Sequence, residues 1–245
     1  MNVALLNPDQ VFACTELMCE NLNRTTHDLA QGEYETGFSQ MMAVIKSLSI
    51  FLQCIGEIKD VVFMDAKEPC LLPFPMPPCE TANDDDGGDT NYSGGPGQVF
   101  ASPFIVTPLP RCANVGSLLS SLSAVAAFNV GIACHRSSLE VLDDSRRRQH
   151  YLLQAKQFYQ TAYELLDRLS YISPNGSLIH VYMALCTNLA EIEFEQGNLD
   201  ASRQWRTALR DTMAAVPEQK ESQVYKHFHN TSIFYRFEIP AAQAA

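Results

Sequence analysis

The sequence predicts an all-α protein of antiparallel helical hairpins stacked side by side, and three observations carry that reading. Apolar residues make up 46% of the 245 and charged residues 18%, which is enough to fill a sizeable core and too little charge for a globally disordered chain. Outside one central segment, apolar side chains recur at steps of three and four, the period of a single helix face. Nine of the 13 prolines lie between Pro69 and Pro110 and five of the 12 glycines between Gly87 and Gly97, so the helix breakers are gathered in one place.

The elements follow in order. From Asp9, read as an N-cap, Val11, Phe12, Leu17, Met18, Leu22 and Leu29 keep to one side of a first helix until Gly32 stops it. Tyr34, Phe38, Met41, Met42, Ile45, Leu48 and Leu52 trace a second. CETANDDDGGDTNYSGGPGQ has almost nothing to bury, so residues 78–97 read as a disordered loop. QVFASPFIVTPLP is apolar but broken by proline, and reads as an extended strap lying on a helical surface, or a single strand. Helices then recur over 118–142, 151–169, 179–194, 199–213 and 224–237, punctuated by Pro174-Asn175-Gly176, Gly197-Asn198 and Pro217. That makes about seven helices. Short turns make neighbours antiparallel. The domain reading is an N-terminal hairpin over 1–68, a Pro/Gly/Asp-rich loop and strap over 69–113, and a helical domain over 114–245 that packs on the first.

Charge excludes one class of partner. Residues 1–113 carry 5 Lys/Arg against 15 Asp/Glu, and no basic stripe appears elsewhere, so nucleic acid is not expected. The longest greasy region, Val44 to Ile58, is broken by Lys46, Ser47, Ser49, Gln53 and Glu57, so no membrane span is expected. MNVALLNPDQ lacks a basic n-region, which leads us to expect an intracellular protein, cytoplasmic or nuclear. The eight cysteines form no Cys-x-x-Cys pair and read as small buried hydrophobes. No metal or cofactor is expected.

A size code repeats in the second helix of each pair: Gly37, Met41, Val44; then Ala155, Tyr159, Ala162; then Ala201, Trp205, Ala208. Offsets of four and seven put the three side chains on one stripe, where two small residues let a neighbouring helix close around one bulky knob. In the preceding helices, Asn23 stands nine residues before Gly32 and Asn188 nine before Gly197. With NLAEIEFEQGNLDASRQWRTAL as the best match, the chain resembles the tetratricopeptide-repeat (TPR) superfamily over about half its length. FNVGIACH followed by AKQFYQTAYELL resembles another unit with its turn enlarged by RSSLEVLDDSRRRQHY, and HNTSIF resembles a first helix with no partner after it.

The resemblance implies a protein-binding scaffold, a stacked helical array with a groove for a peptide or helix of a partner protein. In some members an Asn on the first helix bonds the backbone of an extended peptide, and Asn23, Asn129, Asn188 and Asn230 hold that position here. An amide offers a donor and an acceptor together, which suits a main chain. The competing reading is that each Asn bonds a neighbouring helix or faces water. Four residues earlier stand Cys19, Val125, Ala184 and Lys226, a poor match to members that grip acidic tails with basic side chains.

Arg146-Arg147-Arg148 reads as a solvated helix entry beside Asp143-Asp144. The acidic run Asp84 to Asp89 fails as a calcium loop because Gly88 and Gly95 occupy ligand positions. The six histidines form no catalytic pattern, and Cys134 and His135 diverge on a helix by about 100°. An enzyme is therefore not expected. The alternative is a helical-bundle enzyme or small-ligand carrier with Cys134, His135 or Cys186 in a cavity. The end helix, through Ile233, Phe234, Tyr235 and Phe237, offers a surface for a partner or a second copy, so a homo- or hetero-oligomer is a further expectation.

Overall fold

The computed structural model describes residues 8–31, 34–56, 71–73, 99–107, 115–141, 144–169, 172, 176–216 and 223–242. The 78–97 loop lies outside them, as do the side chains of Phe234, Tyr235 and Phe237. Among the described residues there are seven helices: α1 (Pro8–Ala30), α2 (Tyr34–Gly56), α3 (Val115–Glu140), α4 (Ser145–Asp167), α5 (Leu178–Glu195), α6 (Leu199–Ala215) and α7 (Gln223–Ala242). Two three-residue strands, β1 (Leu71–Pro73) and β2 (Phe104–Val106), pair antiparallel with Leu72 opposite Ile105.

The fold is all-α, as the periodicity predicts. Three hairpins, α1–α2, α3–α4 and α5–α6, are followed by α7. The odd-numbered helices touch in sequence to form an inner layer. The even-numbered ones form the outer layer, joined edge to face through Phe38 and Phe158 and through Tyr163 and Trp205. Helices α3 and α5 are apolar nearly all round, which is the pattern of helices covered on every side. Gly116–Glu140 is long and apolar enough to cross a bilayer, and 89% of its apolar 18-residue span is buried inside the fold, so it is a core helix. Up to His135 it is interrupted by serines and an asparagine, and its charged residues, Arg136 and Glu140, lie at its C-terminal end.

Local signals fix the ends. Asp144 caps α4, its carboxylate accepting from the Arg147 N–H at 2.9 Å. Helix α5 ends in a Schellman motif: the Asn198 N–H reaches the Glu193 carbonyl at 2.8 Å, the Gly197 N–H reaches that of Phe194 at 2.9 Å, and Gly197 takes φ of 76°. Several expectations are corrected. Asp9 lies in the first turn of α1, not before it, because Pro8 starts the helix. The buried face of α1 is Val11, Thr15, Cys19, Leu22, Thr26 and Leu29, which leaves Leu17 exposed. The insert 136–151 is not an enlarged turn; α3 runs on to Glu140 and α4 begins at Ser145.

The size code holds fully in the middle hairpin, where Ala155, Tyr159 and Ala162 are all buried. A Cβ on Gly131 of α3 would stand 2.5 Å from Tyr159 Cδ1, so the absent side chain is the hole for this knob. In α6 the buried stripe is instead Ser202, Arg206, Leu209 and Met213, while Trp205 is half-buried against Tyr163. Ala201 stands four residues past Gly197 where Gly37 stands five past Gly32, and it is Ser202, five past its glycine, that is buried as Gly37 is.

Candidate functional site: an asparagine ladder on an extended strap

Residues 99–107 run extended across the inner layer, and three asparagines hold their backbone. On α5, Asn188 Oδ1 accepts from the Phe100 N–H at 2.8 Å and its Nδ2 donates to the Phe100 carbonyl at 3.0 Å. On α3, Asn129 repeats this at Phe104, with 2.9 Å and 2.8 Å. On α1, Asn23 repeats it at Val106, with 2.8 Å and 2.6 Å. Each amide does what a neighbouring strand would do, accepting from and donating to one residue. The clamped residues are all even-numbered, and strand alternation turns their side chains the same way. Phe100, Phe104 and Val106 are accordingly buried, and Ile105 between the last two is paired with β1.

The remaining amide hydrogens of Asn129 and Asn188 are used as well. Asn129 Nδ2 also donates to Thr26 Oγ1 at 2.9 Å, and Thr26 donates to the Leu22 carbonyl at 2.8 Å. Asn188 Nδ2 also donates to Tyr159 Oη at 3.0 Å, which stands 3.5 Å from His135 Nδ1. A buried polar relay thus ties the strap to the knob of the middle hairpin. Around it the aromatic rings close up: Phe100 stacks on Phe228 at 5.1 Å and on Phe104 at 5.5 Å, with His227 edge-on at 5.4 Å, and Phe104 lies 5.5 Å from Phe128. Burying Phe100, Phe104 and Val106 contributes about 6 kcal/mol as an upper bound.

The site is uncharged. Burial pushes His135 down to about 4, helped by the positive charge of Arg148, and burial pushes His227 down to about 4. Burial pushes the Tyr159 hydroxyl well up, and the Cys134 and Cys186 thiols up to about 12. All five are neutral at pH 7. Among the described residues no group of three or more His, Cys, Asp or Glu stands together to hold a metal ion.

Of the four candidate asparagines, the structure brings Asn23, Asn129 and Asn188 together and leaves Asn230 exposed on α7. Two residues past the inward-facing Phe228, Asn230 sits about 200° around the helix, so it cannot join the row. What the three hold in this structure is the chain's own strap. Tyr159, Thr26, Phe128, His227 and Phe228 were missed as parts of the site. Only the knob at Tyr159 left a sequence signal. The basic run follows expectation, with Arg146 and Arg147 exposed, and Arg148 paired with Glu195 at 2.8 Å. Compared with known protein families, with curated proteins and with solved structures, the chain matches none.

Proposed function

We propose that this chain is a TPR-like, non-enzymatic protein-interaction scaffold whose inner layer takes up an extended peptide through the asparagine ladder, with the chain's own strap seated there in the absence of a partner. One observation carries the reading: the same two-bond clamp recurs at Phe100, Phe104 and Val106 from three successive inner helices. Clamps on main-chain groups fit a ligand that is a polypeptide rather than a small molecule. The raised thiol values of Cys134 and Cys186 speak against a nucleophile at the buried cysteines.

The test weakens the strap and asks what replaces it. Peptide display against the full chain carrying Phe100→Ser and Phe104→Ser is expected to enrich extended peptides, with capture lost when Asn23→Ala and Asn188→Ala are added. A folded variant that enriches no peptide, or peptides indifferent to the asparagines, rejects the reading.

A further inference from the structure

Resting on that reading, we propose that the groove is selective, taking an uncharged extended segment with aromatic residues at its first and fifth positions and a β-branched residue at its seventh. In the strap these are Phe100, Phe104 and Val106, and they are the same residues whose backbones the three asparagines clamp. Register and side-chain identity are therefore read together. A one-residue slip would turn every anchor outward and put the wrong N–H and C=O groups against the amides.

Each position has its own wall. The first ring lies between Phe228 and Phe104, with His227 at its edge. The fifth lies against Phe128, which itself packs 5.6 Å from Tyr159. The seventh is 2% exposed, with Cys19 Sγ 3.9 Å from its carbonyl oxygen. The third position, Ser102, is buried and the fourth, Pro103, is buried, so both admit only compact residues, whereas Ala101 at the second is exposed. The rungs and their partners are Asn, Thr and Tyr, all neutral. A charged side chain at the first, fifth or seventh position would be buried without a counter-charge, a cost that excludes it.

The strap has the advantage of tethering. A segment joined to its site acts as if present at about millimolar concentration, so a free peptide with the same contacts competes poorly until the strap is weakened. The experiment uses the full chain with Phe100→Ser and Phe104→Ser and fluorescein-labelled synthetic peptides read by anisotropy. The peptide QVFASPFIVTPL is expected to bind this variant at least roughly 100-fold more tightly than it binds the wild-type chain. Peptides with alanine at the first or the fifth position are expected to bind at least roughly 100-fold more weakly, since a buried ring truncated to alanine leaves its place empty. If the variant folds only in company, co-refolding with each peptide replaces anisotropy, with recovery of helical, monodisperse protein as the readout. Equal binding of all three peptides overturns the selectivity and leaves the ladder as a main-chain reader. Failure of every peptide to bind or rescue overturns both it and the proposed function. Equal binding to variant and wild type places the peptide elsewhere and also overturns it.

Discussion

Tyr159 and Trp205 occupy the same step of the same local code, small-large-small on the second helix of a hairpin, yet they meet different fates. Tyr159 is fully buried, with Gly131 hollowed beneath its ring and Asn188 bonded to its hydroxyl. Trp205 is half-buried and touches Tyr163 edge-on. The middle hairpin has another hairpin on each side, whereas α6, among the described residues, is followed by the single helix α7. A knob code states that a residue is large. Whether it becomes core depends on which layers surround it, and that is a property of the stack.

The largest effect expected from this contrast comes from truncating the two knobs. Tyr159→Ala empties a fully buried site and removes a hydrogen-bond partner of Asn188, so a loss of about 4 kcal/mol is expected. Trp205→Ala removes a ring already partly in water and is expected to cost about half as much. Urea midpoints of the two variants check the order, and equal losses would dissolve the distinction between the hairpins. Next in size are the clamps. Asn129→Ala leaves the N–H and carbonyl of Phe104 buried without partners, a loss of about 3 kcal/mol, whereas Asn23→Ala acts at a partly exposed rung and is expected to cost about 1 kcal/mol. Asn230→Ala, on the exposed face of α7, serves as the reference and is expected to be neutral.

Much of this architecture was readable from the chain itself, for reasons that differ element by element. Period placed all seven helices, because three-and-four spacing is local and α2, α4 and α6 keep it without interruption. Phase relative to a turn glycine singled out Asn23 and Asn188. Proline and apolar residues together marked 98–110 as a strap on a helical surface. What stayed hidden was pairing at a distance. Asn23 meets Val106 across 83 residues and Asn188 meets Phe100 across 88, and nothing near either partner records the other. Asn230 misled because its neighbours resemble a first helix, while its angle is set by the inward turn of Phe228. The insert at 136–151 misled because charges suggest a loop, whereas Asp144 serves as a cap and lets helices fill both sides.

Acid offers a third way to separate the two hairpins. His135 sits on α3 beside Tyr159 and is held neutral, its value about 4 against an ordinary 6.5. Protonation therefore favours the unfolded chain. The contribution of this group is complete above pH 6.5 and is lost as the pH drops from there towards 4, and a difference of this size is worth about 3 kcal/mol. Thermal midpoints between pH 7.5 and 4.5 are expected to fall more steeply for the wild type than for His135→Phe, which keeps a ring against Tyr159 and removes the titration. Parallel curves would show that the middle hairpin does not carry the acid sensitivity.

The smallest effect tests the holes rather than the knobs. Gly131→Ala places a methyl 2.5 Å from a ring that cannot retreat, since Asn188 bonds its hydroxyl and Phe128 packs on its face. Overpacking of this kind costs about 1–3 kcal/mol, and the gain in helix propensity returns about 1. Gly37→Ala meets Leu29 instead, with Cδ2 at 2.8 Å and the backbone nitrogen at 3.1 Å. Cδ2 can swing aside, but Cγ at 2.9 Å and the backbone nitrogen yield only if the two helices part slightly, so after the propensity gain a net loss of about 1 kcal/mol, smaller than at Gly131, is expected. A Gly37 variant as damaged as the Gly131 variant would mean that the two helices of the first hairpin close as tightly on each other as those of the middle one, and that rigidity does not come from the bonded ring.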